Sequence, residues 1–127
     1  MIDDVEATRS LMRLLLGETD YEVVGEAGTL LAAQQKLAST PSDIVILDLE
    51  MPDGNGINLI PRIIEINPDM VIVVASAHND AGSVQTTLQM GAHGYLIKPF
   101  TPNALESTLA RALRRAGCRV PMPRPGH

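Results

Sequence analysis

Three carboxylates, a hydroxyl and an ammonium occur in this chain in an order suited to phosphoryl chemistry. Asp3-Asp4 follow Met1-Ile2, Asp48 follows Asp43-Ile44-Val45-Ile46-Leu47, Ser76-Ala77 follow the run from Met70 to Ala75, and Lys98-Pro99-Phe100 follow Gly94 to Ile97. Each group stands at the end of an apolar run. If those runs are parallel strands, the side chains emerge together at one edge of a sheet, where open α/β folds place their sites. Singly, each has a plainer reading: Asp3 or Asp4 as a helix cap, Asp48 as a loop-entry residue, Ser76 as a satisfied strand-end hydroxyl and Lys98 as a solvated turn charge. Their joint occurrence at four strand ends is hard to assemble by chance.

A carboxylate accepts a phosphoryl group when its charge is offset by a metal and the donor is held in line. Asp48 is the best acceptor candidate, because it ends the most apolar run and precedes the turn-forming Leu49-Glu50-Met51-Pro52-Asp53-Gly54. Asp3 and Asp4 supply a metal site. Magnesium takes about six oxygen ligands and keeps several waters, so two or three protein oxygens suffice. Clustered carboxylates also repel one another, which raises their pKa values unless a cation is present. Lys98 can pair with Asp48 in the empty site and with phosphoryl oxygens in the filled one. The Ser76 hydroxyl can sense occupancy by hydrogen bonding.

The elements that must position these groups follow from periodicity. Strand-like runs at Tyr21 to Ala27, Asp43 to Leu47, Met70 to Ala75 and Gly94 to Ile97 alternate with segments of helical spacing. This β-α-β rhythm predicts a parallel sheet covered on both faces. The first helix is expected from about Val5 to Gly17, burying Thr8, Leu11, Met12 and Leu15, with Asp3 or Asp4 as cap and Gly17 as stop. Thr29 reads as the cap of a second helix through Leu37, with Pro41 closing the loop. A third covers about Asn58 to Ile66 with Pro61 in its first turn. The fourth, about Ala81 to Met90, is weak, with Gly82, adjacent threonines and a Gly91 stop, which fits an element able to shift. The fifth, about Pro102 to Arg115, carries Leu105, Leu109, Ala112 and Leu113 on one stripe. Only Met1 and Ile2 precede Asp3, so the first strand is expected to be truncated: either unusually short or missing its first residues.

Composition bounds the class. A chain of 127 residues is one domain, able to bury roughly two-thirds of its unfolded surface. Aromatics are only 2%, so the core must be built from Leu, Ile, Val, Ala and Met. The formal charge of −5 argues against direct nucleic-acid binding. Arg111, Arg114, Arg115, Arg119 and Arg124 hold half of the ten basic residues, and a basic run at a helix C-terminus reads as a dipole-compatible solvated end. Cys118 is alone, which excludes an internal disulfide framework and a Cys-based zinc site and fits a reducing cytoplasm. The three histidines, His78, His93 and His127, form no ligand-spaced set. No apolar stretch approaches the roughly 18 residues of a membrane span, so a cytoplasmic protein with no membrane partner is expected. After residue 117 the prolines at 121, 123 and 125 suggest an extended tail or linker. The organisation expected is a domain over 1–117 and a Pro-rich tail over 118–127.

The Asp3-Asp4 pair, "ILDLEMPDGNG" from Ile46 to Gly56, "VVASA" from Val73 to Ala77 and "GAHGYLIKPF" from Gly91 to Phe100 together resemble the receiver domain of bacterial two-component response regulators (the CheY-like superfamily), over nearly the whole chain to about Arg115. That resemblance implies a flavodoxin-like, doubly wound sheet of five parallel strands in the order 2-1-3-4-5 with five helices; a chemotaxis member of this family is itself a standard example of that order. It implies that Asp48 accepts phosphate from a histidine kinase or phosphotransfer protein. Asp3, Asp4, Asp48 and the backbone carbonyl of Glu50 would hold magnesium, with Lys98 and Ser76 as catalytic partners. Ser76 and Tyr95 would act as switch residues, and the Lys98-Pro99 bond would be cis. Glu50 and His78 would flank the site where relatives tune phosphate loss. The face made by the fourth helix, fifth strand and fifth helix would carry the output to a partner protein, an output domain or a second copy as a homodimer.

Under this reading the chain is a phosphorylation switch that biases a two-state equilibrium. It is not an enzyme beyond its own phosphorylation and dephosphorylation. The chief rival is an atypical, unphosphorylated receiver acting as a protein-interaction module, for which a frayed first strand would misplace Asp3 and Asp4. A third reading, a phosphohydrolase of the haloacid type, wants a second Asp two positions after the nucleophile, where this chain has Glu50.

Overall fold

The structure is a computed structural model that describes residues 1–3, 6–17, 25–40 and 42–117. The helices are α1 (Glu6–Leu16), α2 (Leu30–Ser39), α3 (Ile60–Ile66), α4 (Ala81–Gln89) and α5 (Pro102–Arg115). Strands β1 (Ile44–Asp48), β4 (Val71–Ser76) and β5 (Gly94–Ile97) form a parallel sheet in the order β1-β4-β5. Between β1 and β4 in the chain, β2 (Glu50–Met51) and β3 (Gly54–Asn55) form a small antiparallel hairpin.

Ile2 continues the sheet beyond β1 with parallel bridges to Leu47 on one side and Ala27 on the other. The Ile2 N–H donates to the Ile46 carbonyl at 2.7 Å, and the Asp48 N–H donates back to the Ile2 carbonyl at 2.8 Å. On the far side, Asp3 N–H to Ala27 O and Ala27 N–H to Met1 O are both 3.0 Å. The spatial order is therefore Ala27, Ile2, β1, β4, β5, consistent with the expected 2-1-3-4-5. The first strand is as short as expected, a bridge at one residue. Residues 21–24 of the expected second strand lie outside the described residues, as do Pro41 and the tail over 118–127.

Successive side chains of the central strands enter two different cores, with the period of two that a pleated strand imposes. Val45, Leu47, Ile72 and Val74 join a core that includes Ala33 of α2 and Ile60 and Ile63 of α3. Ile46, Val71, Val73 and Ala75 face a second core with Met12 and Leu16 of α1 and Leu105 and Leu109 of α5. Helices thus cover both faces, and β4 is buried at every position, as the continuous apolar run requires.

Local signals account for the helix ends. Thr29, Asp80 and Thr101 cap α2, α4 and α5 by accepting from the amides of Ala32, Ser83 and Ala104. Gly91 follows α4 at φ +121, a left-handed conformation that suits glycine. Pro61 occupies the first turn of α3, preceded by a 3-10 turn over Gly56–Leu59.

Two expectations are corrected. In α1, Met12 is buried and Thr8 and Leu15 are half-buried, but Leu11 is 46% exposed and Leu16 is buried in its place. The stripe reaching the sheet runs Met12 to Leu16 at i, i+4, turning Leu11 toward solvent. Strands β1 and β4 also begin and end one residue later than expected, so Asp48 and Ser76 are the last residues within their ladders. Among the described residues no helix is long and apolar enough to cross a membrane.

Candidate functional site

Parallel register brings the chemistry to one edge. Asp48 pairs with Ala75, Ser76 pairs with Ile97, and the Lys98 N–H donates to the Ser76 carbonyl at 2.8 Å. Asp3 follows the bridged Ile2 directly. Asp3, Asp48, Ser76 and Lys98 thus come together; Asp4 lies outside the described residues.

The inner part of the site is an ammonium between two buried carboxylates. Asp3 and Asp48 are only 1% and 2% exposed. The Lys98 Nζ lies 2.7 Å from Asp3 Oδ2 and 3.1 Å from Asp48 Oδ2. Burial opposes the Lys98 charge, but the Asp3 hydrogen bond and the Asp48 and Asp3 charges outweigh it and raise its pKa. The Lys98-Pro99 peptide that carries this side chain out of β5 is cis.

Asp48 behaves differently. Burial and a carboxyl hydrogen bond with Glu50 push its pKa up to about 7, against the opposing pull of the Glu50 amide and Lys98. One ammonium does not compensate this cluster, so further positive charge is favoured there. Carboxylate and carbonyl oxygens suit a hard cation such as magnesium. Among the described residues no three His, Cys, Asp or Glu side chains cluster as ligands; Asp3 and Asp48 contribute two carboxylates, and the Glu50 carbonyl belongs to the loop that follows.

That loop is held from several directions. The Glu50 amide donates to Asp48 Oδ1 at 3.1 Å, and the Gly56 amide donates to the Leu49 carbonyl at 2.7 Å. A Cβ at Gly56 would lie 2.2 Å from the Asp48 carbonyl oxygen, so the close approach requires glycine. Asp53 accepts from the Leu30 and Leu31 amides at 2.9 and 3.2 Å, tying the hairpin to the start of α2.

An outer group of side chains surrounds the serine. The Ser76 hydroxyl donates to Glu50 Oε1 at 2.8 Å and accepts from the His78 amide at 3.1 Å. His78 Nε2 lies 3.0 Å from the same Glu50 oxygen, and the Tyr95 hydroxyl donates to the His78 carbonyl at 2.8 Å. Burial works against the Glu50 charge, but hydrogen bonds from Asp48 and Ser76 and the neighbouring His78 leave its pKa below the ordinary value.

The supporting roles of five residues escaped the sequence reading. Arg9 Nη1 donates to the Asp3 carbonyl, its Nε lies 3.4 Å from Glu26 Oε1, and Arg13 binds the other Glu26 oxygen at 2.7 Å. An arginine one turn into the helix after an acidic pair was the available signal. Gly56 was signalled by the Asn-Gly dipeptide, whereas nothing local marks Asp53 as a cap for a helix 22 residues away.

The fold and site define a doubly wound α/β domain with an acid–lysine cluster at the C-terminal edge of its sheet. The chain belongs to the response regulator receiver domain family, whose model matches residues 1–110. It is 33% identical to the chemotaxis protein CheY of Thermotoga maritima, over 86% of this chain and 91% of that protein. It is 40% identical to the DNA-binding transcriptional regulator NtrC of Azospirillum brasilense, over 87% of this chain but only 23% of that longer protein. Among solved structures, the beryllofluoride-activated NtrC4 receiver domain dimer superposes with a TM-score of 0.82 at 31% identity, covering 91% of this chain and 94% of that one. The chain is thus a receiver domain of the two-component signalling type, a family for which magnesium is typical.

Proposed function

We propose that Asp48 is the phosphoacceptor of this receiver and that the switch is read on the α4–β5–α5 face. The observation that carries the reading is the Lys98 ammonium set between the buried carboxylates of Asp3 and Asp48, with Ser76 ending the adjacent strand. A histidine kinase or phosphotransfer protein would present a phosphohistidine. An Asp48 carboxylate oxygen forms the new bond to phosphorus while the phosphorus–nitrogen bond breaks, and the leaving imidazole takes up a proton. Asp3, Asp4, Asp48 and the Glu50 carbonyl would hold magnesium, which offsets charge on the incoming phosphoryl oxygens. Lys98 shifts from its carboxylates onto a phosphoryl oxygen, and the Ser76 hydroxyl donates to another.

The phosphoryl group adds nearly two negative charges to a buried position, and its new bonds form in only one arrangement of the loops. Tyr95 and α4 adjoin Ser76 and His78, so that edge responds first. The face then binds an output domain, a partner protein or a second copy of the chain. No other catalysis is required of the domain. The unphosphorylated-module reading needs a frayed first strand, and the hydrogen bonds on both sides of Ile2 weigh against it.

Treatment with a small phosphodonor and magnesium, followed by intact mass, tests the proposal. Wild type should gain one phosphate and Asp48→Asn none. No adduct on folded wild-type protein would overturn it.

A further inference from the structure

The Ser76 hydroxyl proton is already committed in this structure. A serine hydroxyl has one proton to donate, and Ser76 donates it to Glu50 Oε1 at 2.8 Å. It cannot be donated to a phosphoryl oxygen at the same time. We propose that Glu50, braced by His78, is a latch that holds Ser76 in its unswitched position and sets the threshold for activation.

This inference rests on the phosphoacceptor reading of Asp48 and assigns a regulatory role to a neighbour. Glu50 stands on β2, two residues after Asp48, so its carboxylate shares the site's edge while its side chain stays 46% exposed. The oxygen that receives the Ser76 proton also lies 3.0 Å from His78 Nε2, and an imidazole can donate there in its neutral Nε2–H form or as the cation. His78 is held at its other end as well, its carbonyl accepting from the Tyr95 hydroxyl at 2.8 Å. Four residues, on β2, at and just beyond the end of β4 and on β5, therefore form one connected group: Tyr95 to His78, His78 to Glu50, Glu50 to Ser76. Releasing Ser76 loosens His78 and removes one restraint on Tyr95.

The same geometry opens the latch. A phosphoryl group on Asp48 places like charge beside the Glu50 carboxylate, which repels Glu50 from the site while offering Ser76 a more highly charged acceptor. Glu50 is thus a positioning residue: it acts on the switch through Ser76.

Beryllofluoride with magnesium, titrated by NMR on the full chain, tests this. Glu50→Ala should bind beryllofluoride roughly tenfold more tightly than wild type, since the hydrogen bond to a charged acceptor no longer has to be broken. Its Tyr95 ring signals, without beryllofluoride, should move toward the positions seen in activated wild type. His78→Ala should act in the same direction more weakly, because it leaves the Ser76–Glu50 bond in place. In a Ser76→Ala background the Glu50→Ala gain should vanish, a loss that a general structural effect of Glu50 would not produce. Equal or weaker binding by Glu50→Ala with unmoved Tyr95 signals, in a wild type that does bind, would overturn the latch alone. A wild type that binds no beryllofluoride would overturn the phosphoacceptor reading beneath it.

Discussion

Helices α4 and α5 both pack near β5, yet they are held very differently. The fourteen residues of α5 bury Leu105, Thr108, Leu109, Ala112 and Leu113 against the sheet, with a Thr101 cap and Pro102 in the first turn. The nine residues of α4 bury only Thr87, whose hydroxyl turns back to the Ser83 carbonyl at 2.8 Å. Leu88 is only partly buried against the neighbouring core. Each buried leucine removes apolar area worth about 1.5–3 kcal/mol from water, so α5 is anchored several times over while α4 is not. A phosphoryl group on Asp48 can shift an equilibrium only where the alternatives lie within a few kcal/mol. With only Thr87 buried in α4 against five residues in α5, the α4 side of β5 is the one expected to meet that condition.

The largest expected effect lies on the anchored side. Leu109→Ala should destabilise the domain by about 2–5 kcal/mol, read by denaturant unfolding, through loss of transfer energy and the cavity left behind. A cost equal to that of Leu88→Ala would break the comparison.

The site edge should respond to pH next. Asp48 has its pKa raised from 3.8 to about 7, so the folded protein binds more protons than the unfolded chain between those values. The contribution is fully present below the unfolded value and is lost as pH rises through about 7. Magnesium-free wild type should therefore lose stability as pH climbs from about 4 to about 7 and level off above, and Asp48→Asn should not show this slope. Magnesium held by Asp48 as proposed would displace the same proton, so its affinity should fall by up to about tenfold, or about 1.4 kcal/mol, per pH unit below about 7. A flat profile would mean that Asp48 is ionised throughout.

The loosely held side carries the smaller effects. Gly91 ends α4 at φ +121, and a Cβ there would lie 2.7 Å from Ile64 Cδ1, the flexible tip of a side chain. Gly91→Ala should cost about 1–2 kcal/mol, mainly from the backbone conformation. Leu88→Ala should cost about 1 kcal/mol or less in stability, while shifting the beryllofluoride response more than Leu109→Ala does.

The contrast between the helices was legible in sequence because it rests on local pattern. The α5 stripe of Leu105, Leu109, Ala112 and Leu113 and the glycine and threonines of α4 mark one as anchored and the other as weak. The strand-end positions of Asp3, Asp48, Ser76 and Lys98 were equally legible, because an apolar run followed by a polar group fixes which edge the group reaches. The alignment of α1 was not: Leu11 and Leu16 are both apolar, and only packing against β4 and α5 decides which is buried. The partners of Ser76 were hidden too. Glu50 and His78 stand beside the site in sequence, but that one Glu50 oxygen takes both the serine proton and the imidazole depends on the β2–β3 hairpin, whose Asp53 reaches α2 across the fold.

The most direct test of the central claim, that phosphate on Asp48 is read at α4 and β5, is hydrogen exchange with and without magnesium and beryllofluoride. The expected result is slow, unchanged exchange along the buried stripe of α5, with faster baseline exchange in α4 and the largest changes at residues 76–90 and 94–97. Changes centred on α5 or spread evenly over the domain, with α4 unmoved, would contradict it.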